Sequence, residues 1–218
     1  QGCRYRSGRP RHGSVRAARH RCLAFVGTGN KEAAKEGAKA AVEAAKANGW
    51  DEIKCIEIAG VQGDSTNTAR MDGYREGITE AGGEFLDNET QYANATADLA
   101  VTAMEGIMSK YPDGVAIICS NNDDMALAAA RTAKSNPNYA KTIFLGFDGQ
   151  KSACEAVAAG ELTMTAAQNN FDIGYKAVET MVKILKGEQY DKVVDTGTEI
   201  ITKDNAQARL DNFANWLK

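Results

Sequence analysis

From residue 23 almost to the end, short β-rich runs alternate with longer amphipathic stretches, and this alternation restricts the folds open to the chain more than any other feature. Strands are predicted at Leu23 to Gly27, Ile53 to Ile58, Glu84 to Leu86, Val115 to Cys119, Thr142 to Phe147, Leu162 to Ala166 and Val193 to Ile201. Helices are predicted near 31–48, 66–81, 95–110, 123–135, 150–159, 170–186 and 204–217. In the sixth of these, Phe171, Val178, Met181, Val182 and Leu185 fall on one stripe, as an amphipathic helix requires. Strand, helix, strand in this order implies an α/β fold with a doubly wound parallel sheet and helices on both faces. In such sheets ligands bind beyond the carboxyl ends of the strands, where loops escape the packing that holds the rest.

At 218 residues, 43% hydrophobic and 25% charged, the chain can bury one sizeable core or two small ones, which excludes disordered and fibrous classes. The longest apolar runs fall far short of the ~20 residues that cross a bilayer. Cys3, Cys22, Cys55, Cys119 and Cys154 form no CxxC pair, and Cys55 and Cys119 sit inside strand-like runs, so they read as small buried hydrophobes rather than a disulfide framework or a zinc site.

The net charge of -3 hides an asymmetry. Residues 1–22 hold seven arginines and both histidines, with no acid and no lysine; the remaining residues carry 19 basic and 29 acidic side chains, a charge of -10. Beyond residue 22 there are four arginines beside fifteen lysines. Lacking an apolar core and aromatic interleaving, the leader is neither a signal peptide nor a nucleic-acid arm, and it reads as non-native or disordered sequence outside the fold.

The expected strand ends carry polar clusters: Gly60-Val61-Gln62-Gly63-Asp64, Ser120-Asn121-Asn122-Asp123-Asp124, Gly146-Phe147-Asp148-Gly149 and Ala167-Gln168-Asn169-Asn170. Amides and carboxylates at one sheet edge suit a sugar, whose hydroxyls both donate and accept. Arg70 offers a guanidinium fork for adjacent hydroxyls; the plain reading is a surface ion pair with Asp72 or Glu76. Phe147 reads equally as a stacking platform or as core. Trp50 and Trp216 read as structural. The acidic run Asn122-Asp123-Asp124 lacks EF-hand spacing and is expected to cap a helix. Gly27-Thr28-Gly29 follows a strand, but Glu32 stands where a dinucleotide loop needs its third glycine. With His12 and His20 both in the leader, and no GxSxG, HExxH or GxxxxGK[ST], nothing supports an enzyme, a metal or a cofactor.

Taken together, Gly27-Thr28-Gly29-Asn30, Ala69-Arg70-Met71-Asp72-Gly73-Tyr74, Asn122-Asp123-Asp124-Met125-Ala126-Leu127, Gly146-Phe147-Asp148-Gly149 and Ala167-Gln168-Asn169 resemble the ribose- and galactose-type periplasmic binding proteins over residues 23–218. The resemblance implies the periplasmic-binding-protein-like I fold and a non-enzymatic extracytoplasmic receptor that delivers a monosaccharide to an ABC transporter permease, with a chemoreceptor as a second candidate partner. It implies Arg70, Asn122, Asp148 and Gln168 as sugar-contacting or hinge residues, and Val61 and Thr28 as weaker positions of the same kind. It also implies that residues 30–168 and 197–218 form the carboxy-terminal lobe, while 23–29 and 169–196 are remnants of an amino-terminal lobe most of which this chain lacks. The orphaned helix at 170–186 is then expected to favour self-association. Where the family often has an aromatic residue, this chain has Ala95. The competing reading is the effector domain of a lactose-repressor-like regulator; the leader is too short for a helix-turn-helix, and the acidity of residues 23–218 opposes nucleic acid. A flavodoxin-like enzyme is a second rival.

Overall fold

A computed structural model describes residues 22–216. The elements run β1 (Phe25–Gly27), α1 (Asn30–Ala47), β2 (Lys54–Ala59), α2 (Ser65–Glu80), β3 (Glu84–Phe85), β4 (Gln91–Tyr92), α3 (Ala97–Lys110), β5 (Ile117–Ser120), α4 (Asp123–Ala133), β6 (Ile143–Asp148), α5 (Lys151–Ala159), β7 (Met164–Gln168), α6 (Asn170–Lys186), β8 (Val193–Asp195), β9 (Thr198–Ile201) and α7 (Ala206–Trp216). The arginine-rich leader, with the exception of Cys22, lies outside the described residues.

Seven strands form the main sheet in the order β3-β2-β5-β6-β7-β9, with β4 also on the outer edge of β2. All pairings are parallel except β7 with β9. Its strands are apolar on both faces because helices cover both. On one side Cys55, Ile117, Leu145 and Phe147 pack against the alanine-rich inner face of α1 and against Tyr74 and Ile78 of α2. On the other, Ile56, Ile58 and Ile118 meet Met104 of α3, Met125 of α4 and Val157 of α5. Cys55, Cys119 and Cys154 are buried free thiols within these layers.

Helices α1 and α2 approach unusually closely. A Cβ on Gly73 or Gly77 would run into the carbonyl oxygens of Lys31 and Lys35 on α1, so glycine is required there.

The expected α/β fold with a mainly parallel sheet holds, and two strand expectations are corrected. The stretch predicted as one strand from Val193 to Ile201 is two. β8 pairs with β1 in a separate two-stranded sheet, whereas β9 joins the main sheet, and Gly197, at φ 73°, turns the chain between them. Because β9 runs antiparallel to β7, the sheet is parallel except at that edge. The strand expected at Leu162 to Ala166 is shifted to Met164–Gln168, since Thr163 uses its hydroxyl to accept from the Phe144 amide at the strand entry (3.1 Å).

Helix α6 covers neither face of the main sheet. It touches β1 and leaves Phe171, Tyr175, Val178, Met181, Val182 and Leu185 exposed, Leu185 to 78%. An open groove of about 800 Å³ runs along this face.

Candidate functional site

The parallel strands bring the carboxyl ends of β2, β5, β6 and β7 to one edge, and a cleft of about 260 Å³ opens there between the loops. Its first wall is built where β2 hands over to α2. Asp64 caps α2 by accepting from the amides of Thr66 and Asn67, both at 2.9 Å, as a carboxylate at an N-cap does. Asn67 reaches back to accept from the Gly60 amide at 2.6 Å, which ties the turn after β2 to the helix start. With that turn held, Arg70 is directed inward and is 8% exposed.

Arg70 is addressed from four sides. Its Nε donates to Asn30 Oδ1 at 2.9 Å, one Nη donates to the Asn121 carbonyl, and the other pairs with Asp148 Oδ1 at 3.2 Å. The guanidinium carbon lies 3.7 Å from the centroid of the Phe147 ring, a cation-π geometry. The surface pairing expected as the plain alternative is taken by others: Asp72 pairs with Arg75 and Glu76 with Lys31. Phe147 is fully buried beneath Arg70 and belongs to the core, so it offers no ring face to a ligand.

Asp148 closes β6 at φ 107°, a left-handed conformation that a non-glycine residue rarely adopts and that the surroundings must hold. Gly149 follows at φ 67°, packed so tightly on Ala167 that a side chain has no room. Besides Arg70, Asp148 Oδ1 accepts from Gln168 Nε2 at 2.7 Å. Burial raises the Asp148 carboxyl above its ordinary range, while Arg70 and the Gln168 hydrogen bond oppose part of the rise.

Asn122 caps α4, its Oδ1 accepting from the Met125 amide at 2.9 Å and its Nδ2 donating to the Ala95 carbonyl at 3.1 Å. That carbonyl belongs to a loop with Asn94 and Ala95 both at positive φ, which delays the start of α3 to Ala97. The neighbouring Asp123 is fully buried. It accepts from Thr165 Oγ1 (2.6 Å) and the Gln150 amide (2.7 Å), and burial lifts its carboxyl to about 7. Among the described residues no group of three or more His, Cys, Asp or Glu is placed to hold a metal.

Arg70, Asn122, Asp148 and Val61 therefore line one cleft, together with Asn67, Asn121 and Ala95. Gln168 stands behind Asp148, and Thr28 lies off the cleft, linked to it through Asn30, whose Nδ2 donates to the Thr28 carbonyl. Sequence reasoning passed over Asn67 and Glu57, and placed Asn121 in a polar strand-end cluster without giving it a role. Glu57 carried a signal, a charged residue in the apolar run Ile56-Glu57-Ile58.

The sequence matches the periplasmic binding protein domain family over residues 12–189. The chain belongs to that family. Among periplasmic binding proteins, the ribose import binding protein of Escherichia coli is 31% identical over 150 residues, covering 69% of this chain and 49% of the relative. The D-allose-binding periplasmic protein of E. coli is 31% identical over 159 residues, covering 73% and 50%. The solved ABC transporter solute binding protein of Mycobacterium smegmatis with bound glycerol superposes with a TM-score of 0.73 at 31% identity, over 85% of this chain and 63% of that one. These relatives are binding proteins rather than enzymes, and the fold is periplasmic-binding-protein-like I. The chain spans about half the length of the curated relatives it matches.

Proposed function

We propose that the chain is the sugar-binding part of an extracytoplasmic solute receptor, periplasmic or tethered outside the membrane, that takes a monosaccharide into the Arg70–Asp148 cleft and passes it to an ABC transporter permease, with a chemoreceptor as a further partner. One observation carries this reading: a buried donor fork and a strained carboxylate, 3.2 Å apart, line one cleft with Asn122 at the carboxyl edge of the sheet. Adjacent hydroxyls of a sugar ring can accept from Arg70 and donate to Asp148 at once, which a single point charge does not offer. Relatives named for import of ribose and binding of allose support the receptor over the repressor-like alternative.

In this proposal residues 30–168 and 197–218 are one lobe, and 23–29 with 169–196 belong to a second lobe that supplies the opposite wall of the cleft. Gln168 and Thr28 then sit at the crossovers between lobes, Gln168 also reaching Asp148.

The test is calorimetric titration of the full-length protein with D-ribose, D-allose and myo-inositol. One sugar is expected to bind, and Asp148→Ala is expected to weaken it roughly ten- to a hundredfold, the loss of about 1.5–3 kcal/mol that a hydrogen-bonded charge contributes. Unchanged affinity in a folded variant removes Asp148 from the site.

A further inference from the structure

Glu57 occupies the middle of β2, fully buried, where an isolated carboxylate is costly. It sits beside Cys119 in the register of β2 with β5, on the sheet face that packs against Tyr74 of α2. One of its oxygens accepts from the side-chain amide of Asn121; the other, Oε2, has no hydrogen-bond partner. The backbone carbonyl of the same Asn121 accepts from Arg70, and Asn121 lines the cleft. Glu57 therefore grips by its side chain the residue that grips Arg70 by its backbone.

We propose that Glu57 is a positioning residue which, through Asn121, sets the height at which Arg70 presents its guanidinium to the ligand and transmits its own protonation to the cleft. The inference rests on the reading of that cleft as the sugar site. Three of the four holds on Arg70 come from Asn30, Asp148 and the Phe147 ring; Asn121 supplies the fourth, and is itself held by its backbone amide, which donates to the Ile58 carbonyl at 3.2 Å, and by its side-chain amide, which donates to Glu57.

The charged groups around Glu57 are few. Arg75 favours its ionised form, Asp72 and Asp87 oppose it, and Tyr74 and Cys119 are buried with their own ionisation pushed up. Burial outweighs these and lifts the carboxyl to about 8. Around that pH a second negative charge arises behind Arg70 and competes with Asp148 and the ligand for the guanidinium, so a neutral sugar accepting from Arg70 loses affinity.

The experiment uses the full-length protein with D-ribose and D-allose as probes, from pH 6.5 to 9.5. Wild type is expected to bind the preferred sugar three- to tenfold more weakly at pH 9 than at pH 7, and Glu57→Gln, which keeps the acceptor but cannot ionise, is expected to lose most of that decrease. Glu57→Met removes the buried acid altogether; its sugar affinity is expected to fall at least fivefold with no fall in its unfolding midpoint, a combination that a purely structural role does not produce. In the sugar-free protein, the side-chain amide resonance of Asn121 and the Nε resonance of Arg70 are expected to titrate together in wild type and to stay fixed in Glu57→Gln. A Glu57→Gln profile that matches wild type, or a Glu57→Met protein with wild-type affinity, overturns the proposal. Failure of every sugar to bind overturns the reading of the cleft instead, and the two resonances then still decide whether Glu57 addresses Arg70.

Discussion

Two fully buried acids, Glu57 and Asp123, make stability depend on pH in a direction opposite to the usual one for carboxylates. Burial lifts Glu57 from 4.5 to about 8 and Asp123 from 3.8 to about 7. The folded state therefore holds more protons than the unfolded chain between these limits, and stability falls as pH rises through that window, flattening above it. Each such group costs up to about 1.4 kcal/mol per pH unit while its folded form is protonated and its unfolded form is not. Thermal unfolding at pH 5.5 and 8.5 checks this: wild type is expected to lose more stability over that interval than Glu57→Gln, and equal losses would show that Glu57 is already ionised in the fold. Asp123 is the less simple of the two, because Thr165 and the Gln150 amide both donate to it and favour the charge that burial opposes.

At the level of elements, the crossing of α1 and α2 depends on absent side chains. Alanine-rich α1 presents Ala34 and Ala38 to Gly73 and Gly77 of α2, and the backbones meet. Gly73→Ala gains helix propensity but drives a methyl into the Lys31 carbonyl, so the net effect is expected to be a loss of about 1–3 kcal/mol, the range for overpacking. Chemical denaturation checks the sign; a stabilised variant would show that α1 can slide away without cost. The same pair of helices also carries Lys31, Lys35 and Lys39 against Glu76 and Glu80. These exposed pairs add little, so the glycine contacts govern the crossing. Most strands and helices were legible here because burial on both sheet faces produces unbroken apolar runs, and helices keep their 3.6-residue period. The division of Val193 to Ile201 was not legible in composition, since two short strands in different sheets leave the same β-rich composition as one long strand; only the family resemblance put a boundary within it, at 196/197.

For the molecule as a whole, the exposed stripe on α6 and the two-stranded β1-β8 sheet bear on how this chain behaves alone. Val178, Met181 and Leu185 are each more than half exposed, an apolar patch of the kind that drives association. Residues 1–218 are expected to self-associate in light scattering, and Leu185→Glu is expected to reduce it; a clean monomer would refute this. The same chain is expected to bind the preferred sugar weakly. If a second lobe supplies half of a micromolar binding energy of about 8 kcal/mol, the remainder corresponds to roughly millimolar affinity. Micromolar binding by residues 1–218, measured by calorimetry, would show that the opposing wall contributes little.

Local information sufficed for the α/β alternation and the edge of the sheet at which polar residues gather, because periodicity and strand-end position are properties of neighbouring residues; Arg70, Asn122 and Asp148 were singled out as candidates by the family resemblance. It did not reveal that Phe147 lies sealed under Arg70, that Asn121 ties Glu57 to the cleft, or that Thr28 stands off it. Those relations join residues tens of positions apart. They depend on sheet register and on which face each side chain takes, and only the packing of the strands into one sheet decided them.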